Sequence, residues 1–236
     1  MRIREVTDPN DPAIAAFGRI QDAVYFDPHA LIPSRWFGPL LTQTDGARRN
    51  FFVVAEQADG AVVGGTFFHY LADADSGFSS FMGVAQQARG QGVARGLHEA
   101  RFAVLERAAG HTLPGVFIDV VNPERLSADD LARERAVGSD PWHRLRVFGH
   151  LGFGRVDIRY EQPVGGPNGG PVTILDLLFC PSAPAPSVPT ALVVRTMRAY
   201  WTGWLGPKEA DRHARELERR AEGRATLALL PPAPEA

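Results

Sequence analysis

Val84-Ala85-Gln86-Gln87-Ala88-Arg89-Gly90-Gln91-Gly92-Val93-Ala94 joins a β-rich run, 78–85, to a segment with helical periodicity, 90–109. In that segment Val93, Leu97, Ala100, Val104 and Ala108 recur at spacings of three and four, which marks one face of a helix, and Gly110 supplies the stop. Glycines at a strand-to-helix turn let backbone approach a ligand with no Cβ in the way. The first N–H groups of a helix have no partner within it, and with the helix dipole behind them they form an anion site. Arg89 adds a fixed positive fork. In chemical terms the stretch is a pyrophosphate cradle.

Three phosphate-binding patterns compete for this turn. A P-loop needs Gly-Lys-Ser/Thr, and the only lysine of the chain is Lys208, so it is excluded. A dinucleotide fingerprint, and with it an NADP-dependent oxidoreductase, needs G-x-G-x-x-G; Gly90 and Gly92 fit, but position 95 is arginine and the next glycine is Gly96. That fingerprint also belongs to a regularly alternating β-α-β fold, whereas here strands without regularly intervening helices come first. The third pattern, Arg-x-x-Gly-x-Gly/Ala, is filled by Arg89, Gly92 and Ala94.

Upstream of the turn, residues 2–7 alternate in polarity and read as a strand. Asp11-Pro12 offers an N-cap and a first-turn proline, and Ile14, Phe17, Ile20 and Val24 share a helical face. Residues 29–42 hold a short helix or a loop. Runs 51–56 and 61–71 are strands joined by Ala58-Asp59-Gly60, a hairpin signal, and a turn at 73–77 leads to the strand at 78–85. Downstream, 116–121 is a short buried strand. Residues 122–139 are polar, with Ser127 and Asp130 placed to start a brief helix. Asp140-Pro141 opens a helix that ends near Gly152, and 153–161 and 172–180 are strands about a Gly/Pro-rich turn at 165–171. These elements predict the α/β class: an antiparallel meander feeding one β-α-β crossover, hence a mixed sheet with helices on both faces.

The character changes after Cys180. Residues 181–189 are Pro-rich and read as a stiff linker. Beyond it, 191–205 carries Leu192, Thr196, Tyr200 and Trp204 as one helical stripe, 208–222 is a charged helix and 231–236 a loose tail. The expected domains are therefore 1–183 and, as a linker plus helical extension, 184–236. The extension holds too much apolar surface to trail in water, so its helices are expected to dock on their own subunit or across a homodimer.

Composition narrows the function classes. Of 236 residues, 44% are hydrophobic and 22% charged, the range of an ordinary globular protein. A net charge of −2 rules out a broadly basic, nucleic-acid-coating protein, so no nucleic-acid partner is expected. No apolar run reaches the ~18–20 residues of a membrane span, and the N-terminal MRIREVTD has no apolar signal segment; the expectation is a cytoplasmic protein without a membrane partner. Cys180 is the only cysteine, which leaves no intrachain disulfide and no cysteine-based metal site, and no metal is expected.

The turn at 84–92, taken with the strand order, resembles the GNAT acyltransferase superfamily. Its members carry a Val-x-Pro-x-x-Arg-Gly-x-Gly-type turn between the fourth strand and the third helix; here Gln86 stands where proline is common. The resemblance covers residues 1–181 and includes Gly152-Phe153 after the fourth helix. It implies the GNAT acyl-CoA N-acyltransferase fold, followed in this chain by the helical extension. It also implies acetyl-CoA or another acyl-CoA as co-substrate, whose acyl group passes by direct attack to the amine of a small-molecule or peptide acceptor. By this likeness the N–H groups of Arg89, Gly90, Gln91, Gly92, Val93 and Ala94 hold the pyrophosphate, and Val84 pairs its backbone with pantetheine.

Two positions depart from the family's pattern. Many relatives place a tyrosine, the acid to the leaving thiolate, four residues before the Gly-Phe; here that residue is Phe148, which has no proton to give. The asparagine often found seven residues earlier is Pro141. Either another group protonates the sulfur, solvent does so, or the protein does not catalyse acyl transfer. Asp119, on the strand at 116–121 between the oppositely pointing Ile118 and Val120, is a candidate base or amine anchor, or else a charge facing solvent. Tyr25 precedes the loop 26–35, which covers the acceptor pocket in relatives, and is the second candidate. His143 reads as a surface histidine, at most one of His69 and Tyr70 faces a site, and Cys180 reads as a packed strand residue. The missing tyrosine keeps a rival open, a non-catalytic acyl-CoA-binding module on the same fold.

Overall fold

The computed structural model describes residues 1–25, 32–43, 46–166 and 169–234. Most of the loop expected after Tyr25, at 26–31, and positions 167–168 of the Gly/Pro-rich turn lie outside the described residues. The chain divides into two compact units: the first is Met1–Tyr70, Ser79–His111 and Ala128–Asp140, the second Leu71–Phe78, Thr112–Ser127 and Pro141–Ala236. The second unit thus unites the strands expected to close the first domain with the expected extension.

The first unit holds β1 (Arg2–Val6), α1 (Pro12–Val24), α2 (Phe37–Leu41), β2 (Arg48–Glu56), nearly all of β3 (Val62–Leu71), the second half of β4 (Ser76–Val84), α3 (Val93–Ala109) and α4 (Ala128–Ala136). Its strand order is β1-β2-β3-β4, with β1 antiparallel to β2. α1 starts as the sequence predicts, Asp11 accepting a hydrogen bond from the Ala13 N–H and Pro12 presetting the first turn. Arg4 on β1 grips Asp11 through two bonds, of 2.6 and 3.0 Å, and reaches Glu56 on β2 at 2.7 Å, so one guanidinium ties two strands to a helix start. The core is aromatic: the buried Phe37 lies over Phe67 at 4.3 Å and against Phe52 at 5.3 Å, and Phe17 meets Phe52 at 5.2 Å. Gly65 makes this possible, because a Cβ there would stand 2.9 Å from the Phe17 ring. On α3 the buried face is Val93, Leu97, His98, Arg101, Val104 and Leu105, a broader stripe than the expected one.

The second unit holds the start of β4, then β5 (Gly115–Val121), α5 (Pro141–His150), β6 (Gly154–Val156), β7 (Leu175–Pro181), β8 (Ser187–Pro189), α6 (Thr190–Arg220) and β9 (Thr226–Leu230). Its strand order is β4-β5-β7-β6-β9-β8. β4 and β5 pair in parallel, Gly77 opposite Val116 and Phe78 opposite Phe117, as a crossover through α3 requires; the pairings from β5 to β8 are antiparallel.

Several expected bounds change here. The run 153–161 keeps ladder geometry only in β6, and β7 begins at Leu175. The Pro-rich 181–189 is not wholly a linker: Ser187–Pro189 is β8, paired with β9, a strand the sequence reading lacks. β8 ends the strand order, and an edge position tolerates proline because no neighbour needs its N–H. The two helices expected at 191–205 and 208–222 form α6, broken at Gly206, whose φ of 73° is not helical, and followed by Pro207.

Leu192, Thr196 and Tyr200 of the expected stripe are buried, whereas Trp204 is 38% exposed. Leu192, Val193, Met197, Tyr200 and Trp201 are buried in one cluster with Leu71, Phe78, Phe117 and Phe179. Tyr200 stacks on Phe78 at 3.6 Å, and Thr196 hydrogen-bonds Ser76 at 2.7 Å. At ~1.5–3 kcal/mol per large apolar side chain buried, these residues make α6 part of the unit's core rather than an appendage.

Candidate functional site

The glycine turn begins where β4 ends at Val84. Gln86–Ala88 form a single 3-10 turn in which Ala88 is fully buried, and Arg89 is extended. Gly90 and Gly92 then take φ of +74° and +78°, the left-handed region that favours glycine. A Cβ at either would meet nothing within 4 Å, so the space before the turn is open. Gly92 is the N-cap of α3 and offers no side chain to its orphan donors, and the first turn carries no acid. The N–H groups of Gly90, Gln91, Gly92, Val93 and Ala94 reach no backbone acceptor among the described residues. Donors on the exposed Gly90, Gln91 and Gly92, two left-handed glycines and the positive end of a 17-residue helix are the arrangement an anion requires.

The polar insertion closes onto this turn, a contact sequence reasoning missed. Gln86 donates from Nε2 to the Val137 carbonyl at 2.8 Å, and Arg89 donates to the Gly138 carbonyl at 2.6 Å. Part of the Arg89 fork is therefore committed to the segment after α4. The Gln86 side-chain amide is what permits this bond. Tyr25, the C-cap of α1, donates its hydroxyl to the Met82 carbonyl of β4 at 3.0 Å, with its ring edge-on to Phe81.

Asp119 lies in the second unit, as the single charged residue of β5, and keeps some contact with solvent. The Tyr160 hydroxyl is 3.0 Å from Asp119 Oδ2 and 2.9 Å from Gln162 Oε1, and that same Oε1 accepts the indole N–H of Trp201 at 3.1 Å. Burial pushes the Asp119 carboxyl up to about 6, with a hydrogen bond from Tyr160 to the ionised form opposing the rise. Burial, with the Asp119 charge beside it, pushes the Tyr160 phenol well up. Tyr160 and Gln162 sit two apart, a spacing that puts both on one side of an extended chain, and that alternation was their only sequence signal.

The remaining candidates serve structure. His69 is fully buried between Asn50 at 2.7 Å, Ser80 at 2.8 Å and Arg48 at 2.9 Å, and burial holds its pKa well down. Tyr70 is buried under the Arg49 guanidinium at 4.7 Å. His143 is exposed in the first turn of α5. Phe148 packs edge-on against Phe153 at 5.5 Å. Cys180 is buried on β7 with its thiol 3.5 Å from the Leu151 carbonyl.

No protein-family model matches the chain, and no curated protein matches it. Solved structures do. An aminoglycoside 6'-N-acetyltransferase complexed with coenzyme A is 14% identical, aligned over 79% of this chain and 99% of its own, with a TM-score of 0.53. Ard1 from Thermoplasma volcanium is 16% identical over 78% and 98%, TM-score 0.51, and a GNAT-family protein from Desulfovibrio desulfuricans is 15% identical over 77% and 99%, TM-score 0.51. At these identities the likeness is one of fold: this chain has the GNAT fold.

Proposed function

We propose that this GNAT-fold chain is an N-acyltransferase that takes an acetyl or other acyl group from acyl-CoA and delivers it to the amine of a small molecule or peptide. The observation that carries this reading is the glycine turn: N–H groups with no backbone acceptor among the described residues, open space before Gly90 and Gly92, and a helix whose first turn holds no acid. The co-substrate would supply the activated acyl carbon and a thiolate leaving group. Gly90, Gln91, Gly92, Val93 and Ala94 would bind its pyrophosphate through backbone N–H groups, Arg89 through its guanidinium because its own N–H donates to the Gln86 carbonyl at 3.2 Å, and Val84 would hydrogen-bond pantetheine through backbone. Those contacts fix the reactive end in place, which lowers the entropic part of the barrier.

Asp119 is the proton-handling group of this reading. A carboxyl lifted to about 6 is near the neutrality at which acid–base exchange is most effective. Tyr25 would serve by orientation, because its hydroxyl hydrogen is directed to Met82. One observation favours a second reading: Phe148 sits on Phe153 with no hydroxyl, as a non-catalytic acyl-CoA binder allows. A thiol-release assay with acetyl-CoA and a panel of primary amines decides between them. Amine-dependent release of CoA that Asp119→Asn lowers by about 100-fold, the range of a lost general acid or base, supports the enzyme. Tight CoA binding with no release for any amine supports the binder.

A further inference from the structure

The cluster around Asp119 contains more contacts than it has hydrogens if the carboxyl is ionised. An indole nitrogen only donates, so the Trp201 contact at 3.1 Å fixes the nearer Gln162 atom as the oxygen rather than the amide nitrogen. The Tyr160 hydroxyl lies 2.9 Å from that oxygen, and only its own hydrogen can fill the gap. Tyr160 has one hydrogen. The remaining contact, 3.0 Å between Tyr160 Oη and Asp119 Oδ2, then needs a hydrogen from Asp119. With an ionised carboxylate, one of two oxygen–oxygen contacts near 3 Å would have no proton in it, beside a tyrosine only 1% exposed.

We propose that Asp119 rests as the carboxylic acid, donating to Tyr160, which donates to Gln162, whose orientation is locked by Trp201. The charged residues that flank Tyr160 in sequence, Arg159 and Glu161, pair with each other, and Glu161 also pairs with Arg220. The titratable neighbours are Tyr160 itself, Tyr200 of α6, and His213, which lies edge-on to Trp201 at 6.2 Å and is held down chiefly by burial. Leu177 stands opposite Asp119 on β7. Burial already lifts this carboxyl, and the opposing bond from Tyr160 is lost while that hydroxyl donates to Gln162.

The proton's position belongs to the free protein; its use rests on the acyl-transfer reading. A protonated carboxyl is the form that can donate to a leaving group, which Phe148 cannot. Tyr160, Gln162 and Trp201 are positioning residues.

Infrared difference spectra of the free protein, wild type against Asp119→Asn, test the proposal between about pH 5 and 6, where ordinary surface carboxyls with pKa ~4 are mostly ionised. A protonated-carboxyl band lost in Asp119→Asn is expected. Gln162→Leu removes the acceptor and Trp201→Phe removes the lock; each frees the Tyr160 hydrogen for Asp119 and should lower the midpoint by about one to two pH units. Absence of an Asp119 band at pH 6, or an unmoved midpoint in a folded Gln162→Leu protein, overturns the proposal. If Trp201→Phe fails to fold, Gln162→Leu decides alone. The expected band and shifts in a protein that releases CoA with no amine would overturn acyl transfer and leave the proton where it is assigned.

Discussion

In the first unit, the turn at 84–94 presents backbone N–H groups from consecutive residues at an exposed helix start. In the second unit, Asp119 draws its partners from separate stretches: Tyr160 and Gln162 after β6, and Trp201 on α6. The first site is local and made of backbone, so its chemistry depends on left-handed dihedral angles that glycine adopts most readily. The second is non-local and made of side chains, so its chemistry depends on packing. The two should therefore fail differently when the chain is changed.

The largest effect should come from removing α6. Truncation after Ser182 takes Leu192, Val193, Met197, Tyr200 and Trp201 from the core of the second unit and uncovers Phe78, Phe117 and Phe179. The truncated chain should aggregate or lose its cooperative melt; a soluble product with an unchanged melting temperature would contradict the packing described. Trp201→Ala, the milder form, should destabilise by ~3–5 kcal/mol, as for other buried aromatic truncations. Chemical denaturation measures it.

Asp119→Asn comes next, through pH. The folded pKa is raised above the unfolded value of ~3.9, so the bound proton favours the folded state. That contribution is fully present below the unfolded value and is lost as pH rises through about 6. Wild type should lose about 1–3 kcal/mol of stability between pH 4 and 7 from this group, and Asp119→Asn should flatten that slope. Equal slopes in the two proteins would mean that the Asp119 carboxyl does not hold its proton as described.

Arg89→Ala should have the smallest effect on stability, about 0.5–1.5 kcal/mol, since it breaks one exposed bond to Gly138. Its local effect should be clearer: amide exchange across 128–138 should rise if Arg89 and Gln86 pin the insertion to the turn. Unchanged exchange in Arg89→Ala with Gln86→Ala would show that the insertion is held by other contacts.

Much of the first unit could be read along the chain. The Asp11-Pro12 start, the strand–turn–helix at 78–109 and the glycines at 90 and 92 are short-range signals, each fixed by the conformational limits of a few residues. α6 was legible as an amphipathic helix, but not the surface that covers it, because Phe78 and Phe117 lie far away in sequence. β8 and β9 were missed for a related reason. The three-residue strand Ser187–Pro189 ends in a proline, which disfavours strands, and is held by its partner, Val188 opposite Leu227. Asp119 stood out as a charge in an apolar run, yet Tyr160, Gln162 and Trp201 became its neighbours only through the fold.

The glycine turn as the acyl-CoA site is tested most directly by calorimetric titration of CoA into wild type, Gly92→Asn and Gly92→Trp. Asparagine tolerates the left-handed conformation at Gly92, and tryptophan adds bulk to the open space in front of it. Wild type should bind, Gly92→Asn should stay within about tenfold (~1.4 kcal/mol), and a folded Gly92→Trp should give no binding heat. Unchanged CoA affinity in Gly92→Trp would contradict the assignment.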